Sequence, residues 1–193
     1  MLRALRRAML LLRVPDAEWR AIARESPSPA HVMTRFVLPL ACIPAACWSL
    51  NLLLNGQAGA LDAPAQPVGA AQLAEGMLLT YAGTVLSILL MAAAIFVLAP
   101  LFSGPRAWRP CLQVAGYGSA PLLLAGALLT IPELAVAMVL AAFHSMYLVY
   151  GGLKRVHGVK DDQAAEYVAL SVLLLIIVST LLGALRGWWL GAA

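Results

Sequence analysis

Between residues 143 and 159 the chain reads FHSMYLVYGGLKRVHGV, and four of these side chains could do chemistry together: His144, Tyr147, Tyr150 and Lys154. On a helix, at about 100° per residue, the two tyrosines and the lysine fall within about 120° of His144, all to one side. An imidazole beside phenol hydroxyls can relay a proton or line a path for a polar solute, because each group both donates and accepts hydrogen bonds. The same stripe also suits one face of a helix packed in a bundle, with tyrosines and a snorkelling lysine near the membrane surface. Metal binding fits poorly, since a lone histidine without a carboxylate or second histidine at its depth lacks a ligand set. The cysteines add none: Cys42 and Cys47 lie in an apolar run and Cys111 stands alone, without a Cys-x-x-Cys pair. They are expected to be reduced, buried and inert. His157, in the turn VHGVKDD, is expected to be solvated. The sequence shows no nucleophile–base pair, phosphate loop or carboxylate cluster, so neither an enzyme nor a cofactor is expected.

A partner for His144 is available in QVAGYGSAPLLL. Gly116, Gly118, Ser119 and Ala120 are small enough for helices to approach closely. Pro121 removes the usual donor to the Tyr117 carbonyl, and in lipid that carbonyl needs another partner. Pro121 and His144 are each about ten residues from the short turn TIPE, hence at similar depth along two antiparallel helices. The candidate intramembrane polar cluster is therefore His144, Tyr147, Tyr150, Tyr117 and Pro121. Its role is either a path or a hydrogen bond from His144 to backbone freed by the kink.

The elements that hold these residues are membrane spans. Of 193 residues, 62% are hydrophobic and 11% charged, against a charged share of about a quarter in soluble domains; mean hydropathy is +0.86. A span needs roughly 20 apolar residues, and five stretches qualify, at about 36–54, 77–101, 114–131, 134–153 and 167–185. The Gly- and Pro-rich NGQAGALDAPAQPVGAAQ separates the first two as a loop. Pro132 is placed to start the fourth helix, and Glu75 and Glu133 sit at outer span ends. Pro39, Pro44 and Pro100 are expected to kink or end helices, and Gly151 and Gly152 to cap the fourth. The net charge of +4 could suggest nucleic acid, but the basic residues follow topology instead. With the N-terminus inside, only Arg186 of the thirteen Lys and Arg lies outside. The expected fold is an all-α integral membrane protein, N-in/C-out, with five transmembrane helices preceded by one or two short amphipathic interfacial helices.

Residues 1–34 form the cytoplasmic N-terminal segment and 35–193 the transmembrane domain. In the former, Leu2, Leu5, Met9 and Leu12 recur at helical spacing beside Arg3, Arg6, Arg7 and Arg13. A basic amphipathic helix of this kind lies along anionic lipid. Its resemblance to a signal peptide stops at Arg13, with no small-residue cleavage site, so the segment is expected to be retained. Next, VPDAEWRAIARE places Pro15 at a helix start, Asp16 and Glu18 in the first turn, and Trp19 on a face with Ile22. Trp prefers the membrane interface. Arg3, Arg6, Arg7, Arg13 and Trp19 are the candidate lipid- or partner-binding residues.

VPDAEWRAIARE, RFVLPLACIPAAC and the stretch from GYGSAPLLL through YGGLK to DDQAAEYV resemble the bacterial branch of the Yip (Ypt/Rab-interacting protein) family, over about residues 12–185. His144 matches no motif of that family. The resemblance implies five spans and a cytoplasmic N-terminus. Eukaryotic relatives bind Rab-type GTPases in vesicle traffic, which is not carried over to a chain of bacterial appearance. The functional expectation is a non-enzymatic, multi-pass protein of the bacterial inner membrane that organises membrane or binds a partner. Its contacts would be the bilayer, anionic headgroups, and either further copies of itself or another membrane protein. The alternative is a small oligomeric transporter or channel with a polar path along the third and fourth spans.

Overall fold

The computed structural model describes residues 1–56, 68–102, 104–131 and 134–191, with the side chains of all but 135 and 186–191. Pro132, Glu133, the side chain of Arg186 and most of the first loop lie outside the described residues. Two short helices, α1 (Leu2–Arg13) and α2 (Pro15–Glu25), precede five helices long and apolar enough to cross a membrane. These are α3 (Pro29–Asn55), α4 (Ala70–Phe102), α5 (Trp108–Thr130), α6 (Val136–Arg155) and α7 (Asp161–Leu185). Among the described residues there are no strands. The chain is thus a multi-pass, all-helical membrane protein.

All five spans extend beyond the apolar runs at one end or both. Helix α3 begins at Pro29, α4 at Ala70 and α7 at Asp161, each six or seven residues before the expected apolar start. Hydropathy marks the part that matches hydrocarbon, whereas a helix continues through polar residues while its end groups are favourable. Asp161 and Asp162 occupy the first turn of α7, where negative charge suits the positive end of the helix dipole. Helix α6 likewise runs to Arg155, so Gly151 and Gly152 are inside it and do not cap it.

Helix α5 is the centre of the bundle. Its apolar window is 61% buried, against 11% for α7, so α7 presents side chains such as Leu173, Ile176 and Leu181 to lipid. Helices α3, α4 and α6 all pack on α5, and α7 packs on α4 and α6. The small residues of α5 permit this: a Cβ on Gly116 would lie 2.7 Å from Val32 of α3, and one on Gly118 2.6 Å from Val149 of α6. The helix breaks at Ser119, whose hydroxyl donates to the Gly116 carbonyl at 2.8 Å, and Pro121 falls in the first turn of the next helical segment. Pro100 ends α4 in a 3₁₀ turn. Helix α3 opens with an α-helical turn over Pro29–Val32 and passes through a π turn over Met33–Val37, just before Pro39.

The connections alternate between two faces. On one, Arg109 Nε and Gln113 Nε2 of α5 donate to the Pro27 carbonyl at 3.2 and 2.6 Å. Lys154 of α6 pairs with Asp161 of α7 at 2.9 Å. On the other, Asn51 Nδ2 of α3 donates to the Thr130 carbonyl of α5 at 3.1 Å. Helices α1 and α2 sit on the first of these faces.

Candidate functional site

The five residues of the expected intramembrane cluster do not form one polar group, and Tyr147 and Tyr150 line a small cleft beside Trp19 of α2. His144 meets Tyr147 edge to face, ring centroids 6.0 Å apart, and Tyr147 is 54% exposed on the outside of the bundle. His144 Nε2 is buried, and it has no hydrogen-bond partner among the described residues. Tyr150 lies beneath Lys154, whose Nζ is 5.0 Å from the ring centroid. Pro121 is buried on α5. Tyr117 belongs elsewhere. It is 1% exposed and packs against Phe36 (4.6 Å), Trp19 (6.4 Å) and the guanidinium of Arg7 (5.2 Å). At the kink it is Ser119 that serves the backbone, not His144. An intramembrane cleft of about 190 Å³ runs among Ile88, Met91, Leu122, Met146 and Val149, with Ser145 at its wall; none of His144, Tyr147 and Tyr150 lines it.

Tyr117 instead joins the assembly that holds α1 and α2 on the bundle. Trp19, which the sequence places at the lipid interface, is fully buried. Its ring lies over Gly151 and Gly152 of α6, where added Cβ atoms would come within 3.2 and 2.8 Å of it. The two glycines therefore give the indole its seat. Beside it Asp16 takes a 2.7 Å ion pair from Arg155, and the hydrogen bond from Arg155 holds the Asp16 carboxyl below its ordinary pKa. Arg7 bridges the two short helices: its Nε is 2.8 Å from Glu18 and its Nη1 2.8 Å from Glu25. Burial opposes the charge on Arg7, but the hydrogen bond to Glu25 and the fields of Tyr117, Glu25 and Glu18 outweigh it and raise its pKa.

Helix α1 docks by a face other than its leucine stripe. Ala4, Ala8 and Leu11 are buried, while Leu2 is 85% and Met9 42% exposed; Leu5 and Leu12 are half-buried. At about 100° per residue the small buried residues, the leucine stripe and the arginines form three successive faces around the helix. The face laid on the bundle carries two alanines, which pack closer than large side chains do. Arg3, Arg6 and Arg13 are exposed and have no ion pair among the described residues. Arg3 and Arg7 line a cleft of about 720 Å³ together with His31, Arg35, Phe36 and Tyr117.

One pairing escaped sequence reasoning. His157 is 2% exposed rather than solvated. Its Nε2 is 3.3 Å from Cys111 Sγ, and its ring meets Tyr167 edge to face at 5.9 Å. A Cβ on Gly104 would lie 2.7 Å from the imidazole. Burial pushes the imidazolium pKa below its ordinary 6.5. Residues 46 positions apart meet here because three span ends converge, and no local spacing records that. Among the described residues no group of three or more His, Cys, Asp or Glu comes together to hold a metal ion.

Compared with known proteins, residues 9–183 match the family model described as Yip1 domain. No curated protein and no solved structure matches the chain.

Proposed function

The chain belongs to the Yip1 domain family, and from that premise we propose that it is a non-enzymatic membrane-organising or partner-binding component that grips an anionic bilayer surface through α1. The carrying observation is the three-faced helix. Ala4, Ala8 and Leu11 fix α1 to the bundle while Leu2 and Met9 remain exposed for acyl chains and Arg3, Arg6 and Arg13 for headgroups. Each basic residue near an anionic leaflet adds about 1 kcal/mol of attraction. Such a leaflet faces the cytoplasm of a bacterial inner membrane, which is also where the count of basic residues puts the N-terminus. The partner is a further copy of the chain or another membrane protein.

Reconstituting the full chain in nanodiscs of phosphatidylcholine, with and without phosphatidylglycerol, tests this reading. The backbone amides of α1 should exchange more slowly when the anionic lipid is present, and the combined R3Q, R6Q and R13Q substitutions should remove the difference. Equal exchange in both lipids would overturn it.

A second reading rests on His144. Its buried, unpartnered Nε2 beside the exposed Tyr147 fits an oligomeric transporter or channel in which another copy completes a polar path. Proton or solute flux in sealed liposomes, lost in His144→Ala, would favour it; the organiser reading expects no flux in either protein.

A further inference from the structure

We propose that the cleft between α1 and the start of α3 is a specific site for a phosphate-bearing anion, and that Arg3 and Arg35 are its ligands. The inference rests on the reading of α1 as a lipid-gripping helix and narrows that surface to one place.

The cleft holds about 720 Å³, within the roughly 300–1,000 Å³ of ordinary ligand sites and far more than a bare ion fills. Phe36 and Tyr117, both almost fully buried, make its floor; Arg3, Arg7, Arg35 and His31 stand round it. These basic groups are not equivalent. Arg7 is held by Glu18 and Glu25 at 2.8 Å each, so its charge is already answered and its task is to position α1 over Tyr117. Arg3 and Arg35 are exposed, and neither has a carboxylate within ion-pair reach among the described residues. Two uncompensated guanidiniums lining one cavity call for an anion, and their planar forks match phosphate oxygens two at a time.

Two further observations bear on what brings the phosphate. Arg35 stands in the π turn of Met33–Val37, an irregularity that is frequent where a helix positions a functional side chain. At the rim, Met1 and Leu2 also line the cleft and are 67% and 85% exposed. Apolar side chains next to a basic cavity at the end of a span fit the boundary between headgroups and acyl chains. Basic pockets between membrane helices are suited to anionic headgroups there. The recognised chemistry is the phosphate; its source is a headgroup or a free phosphate compound.

The test measures thermal unfolding of the full chain in detergent micelles titrated with phosphatidylglycerol, phosphatidylcholine or inorganic phosphate. Ligand that binds only the folded state raises the midpoint. Phosphatidylglycerol should raise it saturably, phosphatidylcholine should not, and Arg3→Gln or Arg35→Gln should each weaken the effect about tenfold, as loss of a charge-assisted phosphate contact does. Arg24→Gln, exposed on α2 and outside the cleft, should leave it within about twofold. The same pattern with inorganic phosphate would support the site and identify a free phosphate as its source. Should Arg35→Gln not fold, Arg3→Gln on the exposed side of α1 decides. Stabilisation by phosphatidylglycerol that is equal in all three variants would overturn the site and leave only diffuse attraction, in keeping with the broader reading. No stabilisation by any probe would overturn both.

Discussion

The seat of α2 on α6 and the His144 face of the same helix lie within a dozen residues of each other, yet the first is charged, paired and enclosed while the second is uncharged and open at its edge. At the seat Asp16 is paired with Arg155, Arg7 with two carboxylates, and the one large aromatic side chain is fully enclosed. On the His144 face a buried imidazole nitrogen has no partner, and the neighbouring tyrosine points outward. A buried polar atom that is satisfied contributes little net stability, whereas an unsatisfied one is costly. In the first region the charges are answered within the chain, and the unpartnered Trp19 Nε1 is sealed inside it; in the second the unpartnered His144 Nε2 lies beside an exposed side chain.

The largest effect should come from breaking the enclosed seat. Trp19→Ala removes a fully buried indole, and truncation of a large buried aromatic costs about 3–5 kcal/mol. Helices α1 and α2 should then detach while the spans persist, which limited proteolysis would register as cleavage near Ser26. Gly152→Leu attacks the same seat from the other side, since a Cβ there already lies 2.8 Å from the indole. Resistance to protease in both variants would mean that the two short helices are held by something other than this seat.

Acid should loosen a different contact. The His157 imidazole is buried against Cys111 and Tyr167, and burial lowers its pKa from 6.5. Below 6.5 the unfolded chain takes up the proton before the folded one does, so stability is lost as pH falls from 6.5 toward the depressed value. The unfolding midpoint in detergent should drop across that window, and His157→Gln should flatten the dependence. A profile unchanged by the substitution would assign the acid sensitivity to other groups. A smaller effect is expected at Asp16, whose pKa the Arg155 hydrogen bond depresses below 3.8. Its contribution is present above 3.8 and disappears as pH falls through the lower folded value. The pair is largely exposed, so Asp16→Asn at neutral pH should cost no more than about 1 kcal/mol in chemical denaturation.

How much of this was legible follows from which interactions are local. Five apolar runs disclosed five spans, because crossing hydrocarbon imposes a length that the sequence must show. Pro15, Asp16 and Glu18 marked the start of α2 for an equally local reason. Trp19 was recognised as a special residue but assigned to a lipid or partner surface, since its seat consists of two glycines over 130 positions away that resemble a helix end. The pairing of Cys111 with His157 left no trace, as neither residue has a local pattern and Gly104, which makes room for the ring, resembles any loop glycine. Tyr117 was grouped with His144, whereas its ring packs with Phe36, Trp19 and Arg7, because the neighbours a helix face meets are not ordered by the sequence. Arg35 was counted only as a topological charge, and its place in the cleft depends on a π turn that has no hydrophobic signature.

The smallest effect is expected at His144, where it has most to say about the contrast between the two regions. Within the isolated fold, replacing His144 with Phe removes an imidazole whose Nε2 satisfies nothing and supplies apolar surface to a face beside Tyr147. Exchange of an unsatisfied buried polar group for an apolar one is close to neutral or stabilising. The midpoint in dilute detergent should therefore stay level or rise. In lipid at high protein density the prediction separates two kinds of molecule. If the chain acts as single copies, His144→Phe remains silent there too. If a second copy donates to or accepts from Nε2, the variant should shift cross-linked oligomer toward monomer, while Trp19→Ala, which empties the enclosed seat of α2, should not. The unanswered nitrogen would then mark the surface on which the chain meets another copy.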